Sequence, residues 1–168
     1  FAFARKNYVL LRRRKLDIAI DIHNIPYYGD KNDSFIKGGK PERGTSYFLQ
    51  FMTCSIVAAG KRFAVDAIPI MPLDDLDELL EELVMRVKSK VSIQYAYLDR
   101  GFDRAKVINI LKKYHVRYLM PMVRNEKVKQ YMDKYEECPS KIVENFWVGT
   151  ATTNLVLVDD EEGIKRCF

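Results

Sequence analysis

The spacing of apolar residues shifts along this chain from a period of two to one of about 3.6 and back, and that shift constrains the fold more than any other feature. Leu16, Ile18, Ile20 and Ile22 recur at every second position, with Asp17, Ala19 and Asp21 between them, the pattern of a strand with one buried face. "PYYGDKND" breaks the run with Pro26 and Gly29, and "KGGKPERGTS" adds a second glycine-rich, basic stretch. "YFLQFMTCSIVAAGKRFAVDAIPI" reads as two strands meeting near Gly60 and Lys61, an antiparallel hairpin. Then Leu76, Leu79, Leu80, Leu83, Val84 and Val87 recur at three and four, which predicts an amphipathic helix whose first turn is loaded with Asp74, Asp75 and Asp77 to suit the helix dipole. "VSIQYAYLD" returns to strand, the turn "RGF" leads into a second helix with Val107, Ile110, Leu111 and Tyr114 on one face, and "VRYLMPMV" is a short strand near whose end Pro121 falls. A polar helix around 126–137 and the strands "ENFWVGT" and "TNLVLVDD" follow. This order predicts an α/β architecture with a mixed sheet, its antiparallel part first.

A chain of 168 residues that is 48% hydrophobic and 30% charged suits a globular domain with a core of its own. Its apolar runs fall far short of the roughly 20 residues needed to span a bilayer, and no signal peptide opens it, so a soluble, cytoplasmic protein without a membrane partner is expected. Cys54, Cys138 and Cys167 are odd in number and widely spaced, and with only His23 and His115 there is no zinc-type spacing; free thiols follow. The net charge of +5 and pI near 9.0 lean toward a polyanionic partner. The chain opens on Phe1 and closes on "EGIKRCF", which suggests a piece of a longer protein.

Two carboxylates draw attention, Asp21 and Asp99, because each is expected to terminate a strand, where side chains of an α/β sheet can converge. A carboxylate closing an apolar run is costly to bury without a partner. Two readings stay open for each: a cap on the following turn, or a ligand to a divalent cation shared between them. Around them stand candidate contacts to a polyanion. Arg12, Arg13, Arg14 and Lys15 form a basic run that suits either phosphate contact or solvation. Tyr27 and Tyr28 beside Gly29 suit base stacking or turn packing. Lys37, Lys40 and Arg43 lie among glycines that allow backbone to approach a polyanion. Arg100 is placed to neutralise a phosphate or pair with an acid, and His23 to hydrogen-bond a phosphate or water or, the favoured reading, to stand as an orienting or solvated imidazole. Lys127 and Lys129 add weakly to the basic surface.

The stretches "AIDIHNIPYYGD", "RGTSYFLQFMTCSIVAAGKRFAVDAIPI" and "YLDRGFDRAKVINILKKYHVRYLMPMVR", in that order over residues 16–125, resemble the catalytic core of DDE-type transposases from prokaryotic insertion sequences, of the kind found in archaeal mobile elements. The resemblance implies a ribonuclease H-like mixed sheet flanked by helices, with part of a β-rich insertion at the C-terminal end. It implies metal-dependent DNA strand cleavage and strand transfer, with Asp21 and Asp99 holding two Mg²⁺ or Mn²⁺ ions, DNA as partner at transposon ends and target, and a homodimer in the transposition complex. Residues 1–15 would then be a basic linker or the end of an upstream DNA-binding region, 16–125 the core, and 126–168 a partial insertion that leaves the core incomplete. The family's third acid, a Glu on a helix after the insertion, has no match here; Glu126, Glu136, Glu144 and Glu161 are poorly placed for it. The alternative is a catalytically inactive, truncated remnant that only binds DNA; a nuclease on the same fold ranks third.

Overall fold

The computed structural model describes residues 15–58 and 61–168; Arg12, Arg13 and Arg14 lie outside them. The chain forms two compact units, the first ending at Ala96 and the second covering Tyr97–Phe168.

The first unit is organised by one long strand. β3 (Thr45–Ala58) pairs antiparallel with β1 (Lys15–Pro26) from Asp17↔Val57 to Pro26↔Phe48. It also pairs with β4 (Lys61–Ile70) from Gln50↔Ile70 to Ala58↔Lys61, the expected hairpin. Its first residues take β2 (Lys37–Glu42) through Lys37↔Phe48 and Glu42↔Thr45. Arg43 and Gly44 close that hairpin at φ +50° and +83°, the positive values a two-residue type I′ turn requires.

Ile18, Ile20, Met52, Cys54, Ile56, Ile68 and Ile70 are buried along these strands, as the period-two pattern demands. α1 (Leu76–Lys90) packs on β3 and β4 and buries Leu80, Leu83, Val84 and Val87, each worth about 1.5–3 kcal/mol of transfer free energy. Asp75 caps its N-terminus by accepting from the Asp77 amide, while Asp74 accepts from the Met71 amide at 2.7 Å. Lys88 and Lys90 sit in its last turn, where the dipole favours cations.

β5 (Ser92–Leu98) follows, and in the larger sheet β2, β3, β1 and β5 lie in that order, with β4 joined to β3. In the second unit a 3₁₀ turn (Arg100–Phe102) leads to α2 (Ala105–Lys113), β6 (Tyr118–Leu119) and α3 (Glu126–Lys134). A three-stranded antiparallel sheet completes it, β7 (Ser140–Val148), β8 (Ala151–Asp159) and β9 (Lys165–Cys167), in that order. Met122, Val128, Phe146, Leu155, Leu157 and Cys167 form its core, with Tyr131 edge-on to Phe146 at 5.6 Å. Lys165 ties β9 down by donating to Asp159 and to the Cys138 carbonyl, both at 2.7 Å.

Three expectations need correction. β1 does not stop at Asp21: its ladder runs five residues further, because β3 offers a hydrogen-bonding partner long after the apolar alternation ends. His23, Asn24 and Ile25 are all exposed, so no buried face announces those residues. The stretch at 37–42, read as a break, is a strand, since β3 supplies an edge for it despite its glycines and proline. β9 was not expected at all; three residues carry no period.

Candidate metal and nucleic-acid site

Asp21 sits in mid-ladder opposite Thr53, whose hydroxyl donates to the Asp21 carbonyl at 3.3 Å. Its carboxylate accepts from the Ile22 amide at 2.8 Å through Oδ1, and Oδ2 lies 3.8 Å from His23 Nε2. The side chains of Asp21 and His23 are 49% and 57% exposed. The burial cost anticipated for this acid therefore does not arise, since water reaches half of it. Among the described residues no lysine or arginine pairs with Asp21, and His23 is its one ion-pair neighbour.

Asp99 directly follows β5, at a strand end as expected. It is the N-cap of the 3₁₀ turn, accepting from the Gly101 amide at 2.8 Å through Oδ1. A Cβ on residue 101 would stand 3.0 Å from that oxygen, tighter than most Cβ contacts, so the carboxylate would have to give by a few tenths of an ångström. The glycine of "LDRGF" spares the carboxylate that shift. Asp99 and Arg100 are both exposed. Capping is thus a real role for Asp99, and it engages one carboxylate oxygen of two.

Carboxylates are hard oxygen donors of the type Mg²⁺ and Mn²⁺ select, so the donor chemistry of Asp21 and Asp99 fits either ion. Among the described residues no group of three or more His, Cys, Asp or Glu side chains is arranged to hold a metal.

The aromatic and basic candidates separate into two kinds. Tyr27 is built into the fold: its amide donates to the Tyr47 carbonyl at 2.8 Å, its carbonyl accepts from the Thr45 hydroxyl, and its phenol donates to Asp33 at 3.2 Å. Desolvation, then the Asp33 carboxylate, pushes that phenol's pKa up. Its ring folds over Gly29, where a Cβ would meet the phenol oxygen at 2.4 Å. These contacts fix Tyr27 in the loop that follows β1. Tyr28 is 69% exposed and touches the fold through its hydroxyl, which donates to the Arg43 carbonyl at 2.7 Å. That bond brings Tyr28 onto the β2–β3 turn, and exposed Lys40 lies on β2 of the same hairpin. Tyr28, Lys40 and Arg43 therefore gather at one hairpin, though Glu42 at 3.6 Å from Arg43 tempers its charge.

Asp66 was missed by sequence reasoning. Its side chain, 7% exposed, accepts from Arg86 at 2.8 and 3.0 Å and from Lys90 at 2.6 Å. Burial alone would raise its pKa, but the hydrogen bonds from Lys90 and Arg86 outweigh burial and hold it below the usual range. Burial, then the Asp66 charge, pushes the neighbouring Cys54 thiol up to about 12, so it stays a protonated core residue. All three cysteines are free. Among the described residues no helix is long and apolar enough to cross a membrane.

No protein-family model matches this chain, and no curated protein matches it. A solved structure does: the cryo-electron microscopy structure of the piggyBac transposase synaptic complex with hairpin DNA is similar over 98% of this chain, with a TM-score of 0.61 and 13% sequence identity. The matched region is 36% of that transposase's chain. At such identity the likeness is one of fold: this chain has a transposase-like fold.

Proposed function

We propose that this chain is part of a DDE-type DNA transposase of the insertion-sequence kind, built on a ribonuclease H-like core, that cleaves DNA at transposon ends and joins them to target DNA. The observation that carries the reading is the fold likeness along nearly the whole chain to a transposase solved with hairpin DNA. The collinear stretches around Asp21 and Asp99 support it, as does the strand order, in which β1 and β5 are neighbours.

In this reading Asp21 and Asp99 are the metal-binding acids. Mg²⁺ or Mn²⁺, when bound, would activate a water or 3′-hydroxyl as nucleophile and stabilise charge at the scissile phosphate. The chain's own residues do the holding. Asp21 is fixed by a ladder that sets which way its side chain points, and Asp99 by the cap on Gly101. Tyr28, Lys40, Arg43 and Arg100 are exposed and suit DNA through phosphate contact and base stacking, Arg12, Arg13 and Arg14 by charge alone. Tyr27, packed as it is, contributes by holding Tyr28 in place.

The test is cleavage and strand transfer on DNA carrying the ends that flank the gene, with Mg²⁺ or Mn²⁺, using this chain and a form extended along its natural reading frame. Activity is expected in the extended form and lost on Asp21→Ala or Asp99→Ala, with DNA binding retained. Cleavage that survives both substitutions would overturn the assignment of the acids. Salt-dependent DNA binding with no cleavage in either form would favour the inactive, DNA-binding remnant.

A further inference from the structure

The turn that carries Asp99 is closed by two long backbone bonds and, besides the Arg104 guanidinium that donates to the Gly101 carbonyl at 2.8 Å, is held by two anchors further along the chain. Inside it, the Phe102 amide donates to the Asp99 carbonyl at 3.2 Å and the Asp103 amide to the Arg100 carbonyl at 3.1 Å, both long for backbone bonds. Outside it, Phe102 is buried to 1% exposure, and the Asp103 carboxylate accepts from the Val123 amide at 2.6 Å. The first anchor is apolar and non-directional, so it fixes where the turn sits but not how it is rotated. The second is short, charge-assisted and directional. Val123 belongs to the segment between β6 and α3, which is itself held by the Met122 amide on the Cys167 carbonyl at 3.0 Å and by the Asn125 cap on α3. The other Asp103 oxygen is buried and accepts no hydrogen bond among the described residues. An amide side chain, which offers one carbonyl oxygen, could thus replace the bond that matters.

We infer that Asp103 is a positioning residue for Asp99: through Val123 it locks the rotation of the 3₁₀ turn and so keeps the Asp99 carboxylate on the Gly101 amide, aimed for a divalent cation. The inference rests on the reading of Asp99 as a metal-binding acid. Its geometric half is independent of that reading.

Two measurements separate the halves: amide hydrogen exchange at Gly101 in the full chain, and Mn²⁺ affinity from the free-ion electron paramagnetic resonance signal. Asp103→Ala is expected to speed Gly101 exchange about tenfold while leaving Val128 and Leu155 unchanged, and to weaken Mn²⁺ binding by about tenfold, the usual scale for groups that orient a ligand. Asp103→Asn is expected to restore both. Should Asp103→Ala fail to fold, Asp103→Ser, too short to reach Val123, carries the same expectation. Gly101 exchange that stays at the parent rate, rises together with Val128 and Leu155, or is not rescued by Asn overturns the positioning role. If Asp99→Ala leaves Mn²⁺ affinity untouched, it is the metal reading of Asp99 that falls, and Gly101 exchange still decides the role of Asp103.

Discussion

Asp66 and Asp21 stand on strands of the same sheet and meet opposite conditions. Asp66 is nearly closed off from water and accepts from Arg86 and Lys90 of α1. Asp21 is half open, with His23 at 3.8 Å as its ion-pair neighbour among the described residues. A buried carboxylate that carries its own cations is saturated and serves the fold. A half-exposed one can take a cation from solution at little desolvation cost. Local environment, not the presence of an acid on a strand, distinguishes a structural carboxylate from a candidate ligand.

The largest expected effect that would break this contrast is on Asp66. Asp66→Ala strands two cations against the sheet and should cost about 2–3 kcal/mol in urea unfolding, below the range for fully buried pairs because Arg86 and Lys90 still reach water. A loss under half a kilocalorie, by contrast, would put Asp66 in the same class as Asp21.

Acid sharpens the same point. The folded pKa of Asp66 is lowered, so its contribution is fully present above the unfolded value, near 4, and is lost as pH falls through the folded pKa. The gap in unfolding midpoint between the parent and Asp66→Asn should stay level from about pH 5 to 8 and close below about pH 4. A gap that widens in acid would mean that the shift has the opposite sign.

Arg86→Met comes next, at about 1 kcal/mol, since Lys90 still neutralises Asp66 and the Arg86 bond to Glu82 is a solvated helix pair. Asp21→Asn should be the smallest, within about 0.5 kcal/mol of the parent by the same unfolding assay, whatever it does to activity. A large loss there would make Asp21 a structural residue like Asp66.

What was legible in the sequence follows the same division between near and far. α1 and α2 showed themselves because a helix buries its face against residues three and four away, and Leu80, Leu83, Val107 and Leu111 are buried where the period put them. Asp99 was legible as a strand-end acid, since its cap on Gly101 spans two residues. The second half of β1, all of β2 and β9 were not. Their place depends on a partner strand, and exposed residues such as Asn24 and Lys40 leave no hydrophobic trace of it. Asp66 was invisible for a related reason: its cations lie 20 and 24 residues ahead, on a helix whose apolar stripe says nothing about what its polar side meets. The two tyrosines could not be told apart, because one phenol found Asp33 and the other Arg43 through folding alone.

β3 serves three ladders at once, so its length is common property. An insertion or deletion of one residue between 48 and 57 would turn the rest of the strand over, sending Met52 or Cys54 outward and carrying the registers of β1 and β4 with it. Residues 29–35, between Tyr28 and the buried Ile36, belong to no ladder, and their tie to Tyr27 runs through the Asp33 side chain. Lineages of this protein should therefore differ in length there more readily than in β3, which keeps its count even as its side chains change.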